Sequence, residues 1–371
     1  MCRTPTEIDV HSTRSEAMSD TRTVVAIATP LEAELVARIA AVDDRLDVRY
    51  EPELLPPPRF PCDHRGVESF TRTVEQEQRW QAMLAEAEVL FGMPGDSSQG
   101  LADAVRTGTR LRWVQTTARR AGEQVRAAGL SAEEQDRVLI TRARTVHAGP
   151  LAEFAIFGLL AFTKGLPRLL ADRQARRWEH YPMAELAGAT VLVVGLGEIG
   201  TEVARLAKAF GMRVIAVNRR GRTDSPHVDE IRTARFLGDL LPVAHGVVLT
   251  LPLTDETRGM IDAAAFARMH SAAVLIDIGS GGVVDEAALV HALETGQLAG
   301  AALDVFAVEP LPAVSPLWQL SNVLISPHTA GLSVRENERV VDGFIENLRR
   351  YLTGTELLNR VNPTDSNGRQ Q

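Results

Sequence analysis

Residues 190–220 read TVLVVGLGEIGTEVARLAKAFGMRVIAVNRR, and this stretch decides the fold. Residues 190–194 are apolar and β-branched, the composition of a strand buried on both faces. The run breaks at Gly195-Leu196-Gly197-Glu198-Ile199-Gly200 and resumes as a helix in which Val203, Leu206, Ala207 and Phe210 share one face. Gly211 stops that helix, and residues 213–217 form a second strand. A G-x-G-x-x-G sequence is a weak signal alone, but between a strand and a helix it is the fingerprint of a dinucleotide site. Its first glycine allows the tight turn, the second admits a pyrophosphate close to the backbone, and the third packs helix on strand. The helix N-terminus adds amide donors and the positive end of the helix dipole.

The end of the second strand bears on which dinucleotide binds. An NAD site commonly places a carboxylate there for the ribose 2′-hydroxyl. This chain continues as Asn218-Arg219-Arg220-Gly221-Arg222, with no carboxylate before Asp224. Guanidinium groups suit a 2′-phosphate, which a carboxylate would repel. The pattern favours NADP over NAD.

The 371 residues suffice for two domains, and the net charge of −8 speaks against nucleic acid or an anionic membrane as partner. Lysine occurs only at Lys164 and Lys208, so the positive charge is carried by arginine and no single arginine is informative by itself. Cys2 and Cys62 have no metal-ligand spacing and offer no disulfide framework, which points to the cytoplasm and to no metal. The longest apolar run, residues 154–162, is too short to span a bilayer. Residues 1–21 lack the apolar core of a secretory signal and read as a disordered tail or as sequence upstream of a start at Met18; residues 362–371 read as a second tail.

Strands are expected at residues 24–28, 48–50, 89–92, 111–115 and 138–141, with helices at 31–42, 75–86 and 101–106 between them, the alternation of a parallel α/β sheet. Cys62 and His64 fall in a proline-rich loop, residues 56–66, and read as loop residues without partners. A helix from Pro150 onward is apolar on every side and belongs between layers. Residues 166–178, rich in arginine and ending at Trp178, read as a protruding arm. Further strands are expected at 246–251, 273–278, 301–305 and 323–325, then an amphipathic helix over 334–352.

Several stretches together resemble the D-isomer-specific 2-hydroxyacid dehydrogenase family, the glyoxylate/hydroxypyruvate reductases among them. They are His147-Ala148-Gly149-Pro150-Leu151-Ala152-Glu153, the glycine fingerprint, Leu251-Pro252-Leu253-Thr254-Asp255-Glu256-Thr257, Gly281-Gly282-Val283-Val284-Asp285-Glu286, Ala302-Leu303-Asp304-Val305-Phe306 with Glu309-Pro310, and Ser326-Pro327-His328. The resemblance covers residues 24–361 and implies an α/β protein in which a doubly wound Rossmann cofactor domain, residues 150–331, is inserted into a flavodoxin-like substrate domain, residues 22–149 with 332–361. It also implies a homodimer formed through the 166–178 arm and a small 2-oxo or 2-hydroxy acid as substrate.

The family chemistry maps onto this chain residue by residue. His328 matches the acid/base histidine, a side chain suited to proton transfer near neutral pH, and Glu309 the glutamate that orients it and stabilises the imidazolium. Cofactor contacts are implied for Gly195, Gly197, Glu198, Ile199, Gly200, Asn218, Arg219, Arg220, Thr250, Pro252, Thr257, Asp304 and His328. The substrate carboxylate is implied to meet backbone amides around Thr116, Thr117, Ala118 and Arg119.

The chain departs from the family at Ser280. The family pattern Asn-x-x-Arg-Gly puts a carboxylate-clamping arginine there, whereas this chain reads Asp277-Ile278-Gly279-Ser280-Gly281. Loss of such a donor costs about 3 to 4 kcal/mol of transition-state binding, and Asp277 is expected to add negative charge nearby. Three outcomes remain open: an active reductase in which Arg119 or Arg120 supplies the cation, an oxidoreductase for a substrate without a carboxylate, or a cofactor-binding homologue with a regulatory or structural role.

Overall fold

The computed structural model describes residues 22–117, 121–144 and 146–361. Two parallel sheets carry the architecture. The first is built from β1 (Thr23–Ile27), β2 (Leu46–Arg49), β3 (Val89–Phe91), β4 (Trp113–Thr116) and β5 (Leu139–Arg142), in the order β2-β1-β3-β4-β5. Its connections hold α1 (Ala33–Ala40), α2 (Val74–Glu86), α3 (Ser98–Thr107), α4 (Ala121–Ala127) and α5 (Ala132–Arg137). The chain then crosses to the second sheet through α6 (Ala148–Thr163) and α7 (Leu166–Ala175).

The second sheet alternates β6 (Thr190–Val194), α8 (Glu198–Ala209), β7 (Arg213–Asn218), β8 (Glu230–Thr233), α9 (Leu237–Leu240), β9 (Gly246–Leu249), α10 (Ala263–Arg268), β10 (Val274–Asp277), α11 (Glu286–Glu294), β11 (Gly300–Leu303) and β12 (Val323–Ile325). Its order, β12-β11-β10-β9-β6-β7-β8, reverses direction at β6, as in a doubly wound fold. A last helix, α12 (Glu336–Leu352), returns to the first sheet. There Phe344 stacks on Trp113 at 4.9 Å between ring centroids and meets Phe91 edge-on at 5.0 Å.

The sequence explains these layers. Every residue of β6 and β9 is buried, which their unbroken apolar composition requires. Helix α6 is apolar all round because it lies against β10 and β11 and on α8 as well. Gly158 lets it come that close, since a Cβ there would sit 2.7 Å from Ile276 Cδ1. The edge strand β8 was not expected from the sequence: of its four residues, Glu230-Ile231-Arg232-Thr233, only Ile231 is apolar, and none is fully buried. Helices α4, α5, α9, α10 and α11 were also missed, each too short or too mixed to show a clear apolar period. No single helix among the described residues is long and apolar enough to cross a membrane.

Candidate active site

The segment after β5 and the glycine turn after β6 line one cleft. On the cofactor side, β6 ends at Gly195, whose φ of 103° is open to glycine and strained for other residues. Helix α8 begins at Glu198, inside the fingerprint and three residues earlier than its apolar period suggests, with Gly197 as its N-cap. Gly200 is the packing glycine: a Cβ there would lie 2.0 Å from the Gly195 carbonyl oxygen. The Thr250 hydroxyl, just past β9, donates to the Gly195 carbonyl at 2.6 Å and ties the neighbouring loop to the turn. The first-turn amides of α8 have no acceptor within the helix, so the turn fits a pyrophosphate.

At the end of β7, Asn218 organises the turn that displays the arginines. Its Oδ1 accepts from the backbone N–H of Arg220 at 3.0 Å and of Gly221 at 2.6 Å, and its Nδ2 donates to the Arg222 carbonyl at 3.0 Å. Arg219 lies within electrostatic reach of Glu256, in the loop after β9. Thr257 caps that loop, its hydroxyl donating to the Pro252 carbonyl at 2.7 Å.

The presumed acid/base pair is assembled by two loops. His328 Nδ1 is 2.7 Å from Glu309 Oε2, and both side chains are partly exposed. Glu309 is held from behind, because its Oε1 accepts from the Phe306 N–H at 3.0 Å. His328 adopts a left-handed φ of 56°, a conformation uncommon for a non-glycine residue and one that collects at functional sites. Asp304 is buried, and its Oδ1 accepts from Ser326 Oγ at 2.7 Å and from the Ala330 N–H at 2.9 Å. It thereby pins the segment that carries His328 from both sides. Ser326 was quoted in the sequence only as part of the resemblance, and nothing in its neighbours announces this role.

Ser280 is held by its flanking glycines. A Cβ at Gly279 would stand 2.7 Å from the Leu251 carbonyl, and one at Gly281 would stand 1.8 Å from the Phe306 carbonyl. The two backbone contacts lodge half-buried Ser280 between the Thr250 loop and the Glu309 loop, in the place where a cation was expected. The negative charge anticipated at Asp277 is held back by burial. Burial pushes this carboxyl up to about 7, with Asp304 and Glu286 adding to the effect and a Gly279 N–H at 3.1 Å opposing it.

On the other wall, Thr116 and Thr117 are buried at the end of β4, and both hydroxyls lack a partner among the described residues. Ala118, Arg119 and Arg120 lie outside the described residues. The cleft opens between Arg144, Arg339 and the α8 N-terminus with a volume of about 540 Å³. Arg144, which follows β5, pairs with Glu198 of the fingerprint and so bridges the two walls; the sequence offered no signal for that contact. His64 departs most from its sequence reading. It lies in a loop as expected but is buried, and its partner is distant in sequence: its Nδ1 lies 2.9 Å from Thr29 Oγ1. Cys62 is beside it, its thiol pushed up to about 12 by burial and by nearby Glu336. Among the described residues no group of His, Cys, Asp and Glu is arranged to hold a metal.

The family described as D-isomer specific 2-hydroxyacid dehydrogenase, NAD binding domain, matches residues 156–330. D-3-phosphoglycerate dehydrogenase from Mycobacterium tuberculosis is 35% identical over 233 residues, which are 61% of this chain and 43% of that protein, so the match spans less than half of the relative. Glyoxylate reductase from Korarchaeum cryptofilum is 36% identical over 233 residues, covering 61% of this chain and 69% of the relative. Among solved structures, a D-isomer specific 2-hydroxyacid dehydrogenase from Xanthobacter autotrophicus in complex with NADPH and MES superposes with a TM-score of 0.67 and 28% identity, over 92% of this chain and 98% of that one.

Proposed function

The chain belongs to the D-isomer-specific 2-hydroxyacid dehydrogenase family, and from that premise we propose that it is an NAD(P)-dependent oxidoreductase that reduces a 2-oxo acid to the 2-hydroxy acid. The observation that carries this reading is the His328–Glu309 pair, 2.7 Å apart and partly exposed, following strands of the same sheet whose β6 ends in the glycine turn.

A nicotinamide cofactor, when bound, supplies hydride to the carbonyl carbon. The chain supplies the rest. His328 Nε2 gives its proton to the carbonyl oxygen as negative charge develops there, and Glu309 at Nδ1 fixes the ring and stabilises its cationic form. Asp304 and Ser326 hold the His328 segment in register with the loop at Ser280. Residues 22–149 with 332–361 would form the substrate domain and 150–331 the cofactor domain, the hinge running through α6 and the start of α12. The cofactor contacts would be those of the glycine turn, of Asn218 to Arg220 and of the Thr250 to Thr257 loop. NADP is preferred in this reading, because the Asn218 turn presents Arg219 and Arg220 and no carboxylate stands at the strand end. NADPH in the Xanthobacter autotrophicus structure supports the same choice. A second copy of the chain would cover α7 and its surroundings, where Phe157, Leu169, Leu170 and Trp178 are exposed.

The test is NADPH and NADH oxidation with glyoxylate, pyruvate, hydroxypyruvate and larger 2-oxo acids. Turnover with at least one acid, faster with NADPH, is the expected result. Absence of turnover across the panel, with NADPH still binding, would instead favour the reading in which replacement of the arginine by Ser280 leaves a cofactor-binding homologue with a regulatory or structural role.

A further inference from the structure

The cavity of about 540 Å³ beside the glycine turn gathers more positive charge than the fingerprint alone supplies. Two helices begin at its wall, α6 at Ala148 and α8 at Glu198, and neither has a side-chain cap on its first turn. Each brings backbone amides without an intrahelical acceptor and the positive end of a helix dipole. Arg144 and Arg339 line the same cavity. Two carboxylates stand against them, and one of these, Glu202, is already paired with Arg205 at 2.6 Å. The two guanidinium groups and two helix ends thus outweigh the other carboxylate, Glu198, with which Arg144 pairs.

Arg144 reaches this place from the hinge. It lies between β5 and α6, in the segment by which the chain first crosses from one sheet to the other. That crossing is braced against the return crossing. The Val146 carbonyl accepts from Arg339 Nη1 of α12 at 3.4 Å, and His147 Nδ1 lies 3.3 Å from the Gly331 carbonyl. Glu198 fixes the far end of the side chain, its Oε1 accepting from Arg144 Nε. Both side chains remain partly exposed, and an ion pair of that kind adds little stability. What the pair does achieve is to keep a cation beside Gly197, the glycine that admits a pyrophosphate to the backbone.

Glu198 is the first residue of α8, so its carboxylate stands where the phosphate charges of a dinucleotide are to be received. Alone it would repel them. With Arg144 in place the carboxylate is neutralised, and a five-donor fork matched to phosphate oxygens stands next to the turn.

We propose that Arg144 is a cofactor-binding residue, which grips the pyrophosphate from the hinge while Glu198 is the tether that positions it. The proposal rests on the dinucleotide reading above and adds to it a residue that lies outside the glycine fingerprint.

The test is equilibrium binding to the full-length chain, read by NADPH fluorescence and by competition with NADP, NAD and adenosine 2′-phosphate, which lacks the pyrophosphate. Arg144→Ala should weaken NADP and NAD by the same factor, about 10- to 100-fold, the range for one hydrogen-bonded charge contact. Affinity for adenosine 2′-phosphate should stay within about twofold, because nothing in that fragment reaches the hinge. If Arg144→Ala does not fold, Arg144→Lys, which keeps the charge and loses the fork, should weaken both dinucleotides at least about threefold. Glu198→Gln separates grip from neutralisation. In that background Arg144→Ala should still weaken NADP at least about fivefold, since the phosphate contact is lost whether or not the carboxylate is present. A loss that vanishes in the Glu198→Gln background shows that Arg144 only neutralises Glu198 and overturns the proposal. Unchanged dinucleotide affinity in Arg144→Ala, or an equal loss for adenosine 2′-phosphate, overturns it too and leaves the dinucleotide reading standing. A native protein that binds neither NADP nor NAD removes both.

Discussion

The two walls of the cleft are finished to different degrees. At the carboxyl end of the seven-stranded sheet, functional side chains are tied into networks. Thr250 donates to the Gly195 carbonyl, Asn218 makes three hydrogen bonds within its own turn, Asp304 holds Ser326 and Ala330, and Glu309 links Phe306 to His328. At the carboxyl end of the five-stranded sheet, His64 Nε2, Asp96 Oδ1, Gln124 Oε1 and the Thr116 and Thr117 hydroxyls are buried with no partner among the described residues. An enzyme gains most from donors and acceptors oriented before the reaction begins, which describes the first wall. The second wall departs from it, because buried polar groups are ordinarily satisfied and each exception asks for a cause.

The sharpest way to break this contrast is His328→Ala. If the first wall is a preassembled catalytic device, removing its proton donor should lower kcat by about 10² to 10⁴-fold, the usual contribution of general acid–base catalysis. Binding of NADPH should survive, because Thr250, Asn218 and the glycine turn do not depend on His328. Steady-state kinetics and a fluorescence titration measure the two quantities. Unchanged turnover would mean that the ordered pair is structural.

Ser280→Arg probes the boundary between the walls. The Leu251 and Phe306 carbonyls close on Gly279 and Gly281 and hold position 280 in the cleft, so an arginine there would restore the cation that relatives' chemistry implies. If Ser280 impairs the native protein, kcat/KM for 2-oxo acids should rise by about 10² to 10³-fold. A fall would show that the second wall already receives the carboxylate in another way. In that case Arg119 and Arg120, outside the described residues, become the next positions to replace.

What the sequence revealed follows the same division. Strand β6 coincides with the apolar run that announces it, the glycine fingerprint could be named from local pattern, and the His328–Glu309 pair was implied by the family resemblance. Each depends on residues close in sequence or on a motif whose spacing is the function. The environment of His64 could not be read this way. His64 and Thr29 are 35 residues apart and belong to no repeating pattern, and the burial that makes them meaningful arises only when β1, β3 and β4 align. Edge strand β8 was hidden for the opposite reason: strands at an edge need little apolar alternation, and its single apolar residue, Ile231, shows none.

The smallest expected effect concerns Asp277, the one group at the first wall whose charge is held back by burial. Its carboxyl stands at about 7 in the folded protein, above the ordinary aspartate value, because it is buried beside Asp304 and Glu286; only the Gly279 N–H favours its ionised form. A raised folded-state value means that Asp277 favours folding below the unfolded value, where both states are protonated, and that this contribution is lost as pH rises toward 7. Between those limits the unfolded chain releases a proton that the folded chain retains, at about 1.4 kcal/mol per pH unit. Asp277→Asn keeps the shape and the acceptor for Gly279 and removes the titration. Relative to this variant, the native protein should lose about 2 kcal/mol of stability between pH 5 and pH 7, measured by denaturant unfolding at each pH. A difference between the two proteins that does not change with pH would show that Asp277 ionises normally. The negative charge expected near Ser280 would then be real, and the first wall would carry an uncompensated anion close to the position where the family resemblance implies an arginine.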